Sequence, residues 1–214
     1  MSPTPELTAR ARILHAAVRR FATDGLHAGL RTVASDAGVT AGLIIYHFGS
    51  RDGLLSACDQ EVLALTRSSK TAVMTGGAGE MLTQLAQAEQ YAPAVGYVLR
   101  RLQAGGPMAT QLVEDFVADS VSYLAEGEKA GVIRPSRDPE ARARLLTEMA
   151  LGALLLQMPA QKEHLDVEEL PRWMGEYSAR IIAPYLELFT EPLLTDSSML
   201  EAYRAQGTDP QETP

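Results

Sequence analysis

Breaks at Asp24-Gly25, at Gly38-Val39 and between Phe48 and Ser50 cut the first fifty residues into three pieces, each too short to bury a core alone. The pieces must therefore pack on one another. Leu7, Ala11, Leu14, Val18 and Phe21 recur at helical spacing and form one apolar stripe. Thr4-Pro5-Glu6 predicts the start of that helix, with a hydroxyl cap, a first-turn proline and an acid at the positive end of the dipole. Gly25, free to take a left-handed conformation, predicts its end. A second helix is expected from about Arg31 to Ala37, burying Val33, Ala34 and Ala37, and a third from a Thr40 cap to about Phe48. Two short helices crossing steeply need a turn of three or four residues with glycine at the tight point, and Gly38 supplies it. This is a helix-turn-helix, whose last helix projects far enough to enter a major groove.

Composition agrees with an all-α chain. The sequence is 46% hydrophobic but only 6% aromatic, and Ala, Leu, Glu, Gln and Arg dominate over strand formers. A single cysteine, Cys58, excludes an intramolecular disulfide and suits a reducing cytoplasm. Arg10, Arg12, Arg19 and Arg20 interrupt any signal-peptide core, and the longest apolar run, Met149 to Leu156, is too short to cross a bilayer. No membrane partner is expected. Charge is uneven: residues 1–52 hold six arginines against four acids, whereas residues 53–214 hold thirteen basic against twenty-three acidic residues. A mildly basic head on an acidic body is expected when only the head meets phosphate.

The stretch "LRTVASDAGVTAGLIIYHFGSRDGLL" resembles the DNA-binding domain of the TetR (tetracycline-repressor) family of bacterial transcriptional regulators. Val33-Ala34, Ala37-Gly38-Val39-Thr40, Gly42, His47-Phe48 and Ser50-Arg51 carry the likeness, which extends over roughly residues 7–65. Ile45 stands where the family usually has tyrosine, and Gly49 where a proline often follows His-Phe.

The resemblance implies a DNA-reading third helix, and it explains why that helix shows small and apolar side chains. Thr40, Tyr46, His47 and Arg51 are candidate phosphate contacts, which set register without reading sequence. Ala41, Gly42, Leu43 and Ile45 are expected to face the groove, Gly42 permitting close approach and Ala41 and Leu43 touching thymine methyls. None can form a bidentate bond to guanine, so Arg31 or Thr32 is the candidate for base-specific hydrogen bonding. Ile44 and Phe48 are expected in the core.

Helix four is expected to run from Ser50 to about Arg67, with "SSKTAVMTGGAGE" as a linker. Further helices are expected near 80–90 and 92–103, from Pro107 to about Ala130, from Asp138-Pro139 to about Met158, and from a capping box at Asp166–Glu169 to about Phe189 with a kink or break at Pro184. The division is thus a DNA-binding domain at 1–50, a helical regulatory and dimerisation domain at 51–207, and a tail at 208–214 with no reason to order. The last two long helices, about 139–158 and 168–189, are the candidate homodimer interface, with Leu154 in the apolar run. Such a dimer would present two reading helices to a palindromic operator.

Leu112, Phe116, Asp119 and Tyr123 share one helix face, placing a carboxylate among apolar neighbours. The resemblance implies a cavity for a small apolar effector in this region, with Phe116, Asp119, Tyr123, Tyr97 and Met81 as candidate lining residues and release of a repressor from DNA as the expected outcome. No histidine pair has metal spacing and no nucleophile or phosphate-loop motif occurs, so no catalytic residue, metal or cofactor is expected. The alternative is an all-helical small-molecule-binding protein or enzyme whose N-terminal domain only docks.

Overall fold

The computed structural model describes residues 8–157, 169–191 and 193–206. They form α1 (Ala9–Asp24), α2 (Leu30–Asp36), α3 (Ala41–Phe48), α4 (Arg51–Ala86), α5 (Ala92–Ala104), α6 (Gly106–Lys129), α7 (Pro139–Gln157), α8 (Leu170–Thr190) and α9 (Ser198–Ala205). A single 3-10 turn, Ala88–Tyr91, precedes α5. No strand occurs among the described residues, and no helix among them is long and apolar enough to cross a membrane. The chain divides into two units after Met174.

Hydroxyl caps set the starts of α1, α3 and α4, whereas α2 starts at Gly29 without a side-chain cap. Thr8 Oγ1 accepts from the Ala11 amide at 3.3 Å, Thr40 Oγ1 from Leu43 at 3.3 Å, and Ser50 Oγ from Gly53 at 3.0 Å. Helix α1 thus begins at Thr8-Ala9, and the Thr4-Pro5-Glu6 start lies outside the described residues. Between α2 and α3 the chain reverses through Gly38 at φ 64°, while the Val39 amide donates to Ala34 carbonyl at 2.9 Å. A side chain at Gly38 would cost about 1–2 kcal/mol in that conformation.

Helix α4 corrects the expected boundary at Arg67. It continues through most of the glycine-rich stretch to Ala86, and its backbone leaves helical geometry at Gly77 (φ 64°, ψ −148°). The break was legible; the nine helical residues before it, 68–76, were not. They persist because α4 packs along α6, where Gly127 has no Cβ: one there would meet Ile133 at 2.7 Å and Met74 at 3.2 Å. Tertiary packing here overrides weak local propensity.

Pro184 lies inside α8, which runs unbroken from Leu170 to Thr190, so of the expected kink or break the break does not occur. Proline costs the helix one hydrogen bond, and Pro184 sits at an exposed position where water can reach the backbone. The proposed Asp166 capping box and the 208–214 tail lie outside the described residues. Helix α9 was not anticipated.

One apolar core joins the head to the body. Ile13, Ala17, Phe21 and Ala22 of α1 are fully buried with Val33, Ile44, Leu54, Tyr97 and Leu112. Helix α1 packs on α2, α3 and α4, and most extensively on α5. The 50/51 division is therefore one of roles, since no gap in packing marks it.

A buried polar cluster ties α5 to α4. The Tyr97 hydroxyl lies 2.7 Å from Asp59 Oδ1 and 3.0 Å from Leu55 carbonyl, and Arg101 donates through Nε to Asp59 Oδ1 at 2.8 Å and through a terminal nitrogen to Oδ2. Burial, then the neighbouring Asp59 charge, pushes the Tyr97 hydroxyl well above its ordinary pKa, so it remains a donor. Buried ion pairs add little net stability but are costly to break on one side. Arg101→Met should therefore cost about 3–5 kcal/mol in urea unfolding, and the double change Asp59→Leu/Arg101→Met should recover much of it. A loss under about 1 kcal/mol for the single variant would mean that water solvates the orphaned carboxylate.

Candidate functional site

Helix α3 sits on the head by a narrow seam. Ile44 is fully buried, and Ala41 and Phe48, three residues before and four after, pack partly against the core. The opposite face presents Gly42, Ile45, Tyr46 and His47, with Leu43 half-buried at its edge. Tyr46 is 81% exposed, and its ring packs edge-on to His47 with centroids 5.3 Å apart. Ala41 thus lies on the core side, which corrects its expected place among the groove-facing residues. Thr40 is exposed at the helix start, its oxygen already capping Leu43, which leaves its hydroxyl proton to donate outward. Arg31 and Thr32 are both exposed on α2.

Glycines separate the demands of fold from those of contact. At Gly53 an added Cβ would come within 2.0 Å of Phe48 carbonyl oxygen, so the α3–α4 corner excludes any side chain. At Gly42 an added Cβ would meet only Thr40 Oγ1, at 3.9 Å. The fold has no use for that glycine, and a helical glycine is a standing cost relative to alanine. Room for an approaching backbone or base is the benefit left.

Arg51, expected as a phosphate contact, also holds the head together. Its guanidinium donates to Ala28 carbonyl at 2.8 Å and to Leu26 carbonyl, and its carbon lies 5.6 Å from the Phe21 ring centre. It clamps the loop before α2 onto α4. Other head arginines are also engaged internally: Arg20 bridges Asp24 and Asp36, Arg12 Nε donates to Ala37 carbonyl, and Arg10 stacks over Phe48 at 5.3 Å.

The body holds a cavity of about 270 Å³ lined by Val62, Leu65, Thr66, Ser69 and Lys70 of α4, by Tyr91, Ala94, Val95 and Val98, and by Phe116, Leu151 and Leu154. Of the five expected lining residues only Phe116 borders it. Tyr97 is fully buried and bonded to Asp59, so it belongs to the core. Tyr123 bonds Ser120, which bonds Thr147 of α7, both at 2.8 Å, and thereby ties α6 to α7. Asp119 Oδ1 accepts from Arg67 Nε at 2.8 Å, which makes it a tie between α4 and α6. Met81 lies beyond the Gly77 break, outside the lining. Leu154, in the apolar run expected at the dimer interface, lines the cavity and packs against the Ala92–Leu99–Leu170 cluster. Lys70 was missed because the α4 stripe was stopped at Arg67; continued at helical spacing, Val62 and Leu65 lead to Thr66, Ser69 and Lys70.

A second hollow of about 220 Å³ shares Val62, Leu65 and Ala94 with the first and reaches Ala11, His15 and Val18 of α1. Space therefore lies beside the head's first helix as well as within the body.

A helix-turn-helix head carried by a hollow helical body defines a DNA-binding transcriptional regulator. Residues 13–58 match the model described as bacterial regulatory proteins, tetR family, and residues 89–195 match the tetracyclin repressor-like C-terminal domain. The chain belongs to the TetR family. It is 41% identical over 203 residues, 94% of each chain, to the HTH-type transcriptional regulatory protein RaaS of Mycobacterium tuberculosis. Among solved structures it is similar in fold to a TetR-family transcriptional regulator from Rhodococcus sp. (TM-score 0.54, 21% identity, 80% of this chain and 97% of that one). Salmonella enterica GusR is similar too (TM-score 0.53, 18% identity, 87% of this chain and 97% of that one).

Two substitutions separate the roles of the head residues. Gly42→Ala should raise stability by up to about 0.5–1 kcal/mol in urea unfolding. It should at the same time weaken binding to operator DNA in fluorescence anisotropy; unchanged DNA affinity would remove Gly42 from the interface. Arg51→Ala should lower the melting temperature while leaving the salt dependence of DNA affinity unaltered. A salt slope reduced by about one per lost phosphate contact would instead make Arg51 a phosphate ligand as well.

Proposed function

We propose that the protein is a homodimeric, ligand-responsive repressor that leaves a palindromic operator when a small apolar effector enters the body cavity, and that it works in the cytoplasm. The observation that carries this reading is the double duty of α5. Its Ala94, Val95 and Val98 line the cavity, and its Arg100 donates to the carbonyls of Ala22 (3.2 Å) and Thr23 (3.4 Å) at the end of α1. A ligand that displaces α5 from α4 therefore pulls on the head through α1, and the hollow beside Ala11 and His15 gives α1 room to follow.

On DNA, α3 lies in the major groove with Gly42, Leu43 and Ile45 toward base edges. Thr40, Tyr46 and His47 take phosphate, and Arg31 or Thr32 supplies the hydrogen bonds to bases. Two heads in a two-fold dimer read half-sites roughly 34 Å apart. For the dimer, α7 offers Leu145, Met149, Leu155 and Leu156, all exposed, the last by 84%. Separately, α8 offers Leu186, Leu188 and Phe189. An apolar surface of this kind is what a second copy covers.

A ligand releases DNA only by binding the DNA-free conformation more tightly, and this coupling is reciprocal. Effector affinity measured with and without saturating operator should differ by roughly 5–150-fold. Equal affinities would remove the allosteric reading while leaving DNA binding intact. Arg100→Met should shrink that ratio with little change in effector affinity for the free protein. Leu156→Arg should shift the protein toward monomer in light scattering; an undisturbed dimer would move the interface off α7.

A further inference from the structure

The cavity wall contains four side chains with polar hydrogens, and three have already used them. Thr66 Oγ1 donates to Val62 carbonyl at 2.9 Å. Ser69 Oγ and the Tyr91 hydroxyl both donate to Gln84 Oε1, at 2.8 and 2.6 Å. A hydroxyl has a single proton, so none of these can donate to a ligand without giving up an internal bond. Lys70 is the fourth. Its ammonium has three protons and makes neither a hydrogen bond nor an ion pair with any described residue.

The surroundings of Lys70 are otherwise apolar: Val62, Leu65, Ala94, Val95, Val98, Phe116, Leu151 and Leu154 make up the rest of the wall. Lys70 keeps accessible surface while lining the cavity, and desolvation by the protein atoms around it lowers its pKa. A lone cation in such a wall selects for an anion, because pairing offsets the desolvation of both groups.

We propose that the effector is a small apolar acid whose carboxylate pairs with Lys70 while its hydrocarbon fills the cavity; this rests on the effector-cavity reading above. Size narrows the class. An engineered cavity of about 150 Å³ holds benzene, so one of about 270 Å³ suits roughly a dozen non-hydrogen atoms. Asp119, the carboxylate expected to line the cavity, is paired with Arg67 and does not oppose this choice.

Three probes of one chain length separate the head-group requirement from hydrocarbon burial: decanoate, decan-1-ol and decylamine, each below its micelle concentration. The only tryptophan, Trp173, packs with Leu154 around the Ala92–Leu99–Leu170 cluster, so its fluorescence reports occupancy. Wild type should bind decanoate at least tenfold more tightly than decan-1-ol, and decylamine most weakly. Lys70→Met should bring decanoate down to the level of decan-1-ol, and Lys70→Arg should keep the preference. Melting temperature and probe-free operator affinity establish that both variants are folded. A decanoate preference that survives Lys70→Met, a preference for decylamine, or failure of all three probes to bind overturns the proposal. If all three probes release DNA equally, the acid requirement is lost and the repressor reading survives. If operator binding is absent but decanoate still binds through Lys70, the repressor reading is lost and the acid site survives.

Discussion

Burial of α1 against α5 is the contact on which the rest of the molecule depends. Ile13, Ala17 and Phe21 make α1 the floor of the head and the roof of the body at once. The Phe21 ring centre lies 6.4 Å from that of Tyr97 and 5.6 Å from the Arg51 guanidinium carbon. One side chain thus meets the body through α5 and the DNA-reading end through the start of α4. A close-packed core transmits displacement instead of absorbing it. A head fastened in this way follows its body helices, which a head on a loose linker would not do.

The polar residues of the body have two distinct uses. Asp59, Arg101 and Tyr97 satisfy one another in a buried cluster, and Asp119 with Arg67 ties α4 to α6. A carboxylate on an apolar helix face looks the same in sequence whether it awaits a ligand or a guanidinium from another helix. Partners decide, and both Arg67 and Arg101 come from elements distant in the chain or across a turn. Lys70 is the reverse case, an ordinary surface residue by composition that the continuation of α4 carries into an apolar wall.

Much of the head was legible because its determinants are local. Glycine at a left-handed position, a hydroxyl before a helix and apolar residues at helical spacing act within a few residues, so Gly38, Thr40 and Ile44 announced the turn, the cap and the buried face. The boundaries near Asp24, Phe48, Gly105 and Ala130 followed for the same reason. Exposure on α3 was mostly legible too, since one buried position fixes the rotation of an eight-residue helix; Ala41 was misplaced because it lies at the edge of that face.

What the sequence determined by itself was the all-helical class, the reading motif and the punctuation between helices. Tertiary structure alone decided how far α4 runs, which carboxylates are spent on arginines, that Arg51 clamps Leu26 and Ala28, and which side chains surround the cavity. The physical reason is the range of the interactions. Capping and helical periodicity act over three or four residues, whereas the cavity wall is assembled from α4, α5, α6 and α7, whose order in the chain says little about which faces will meet.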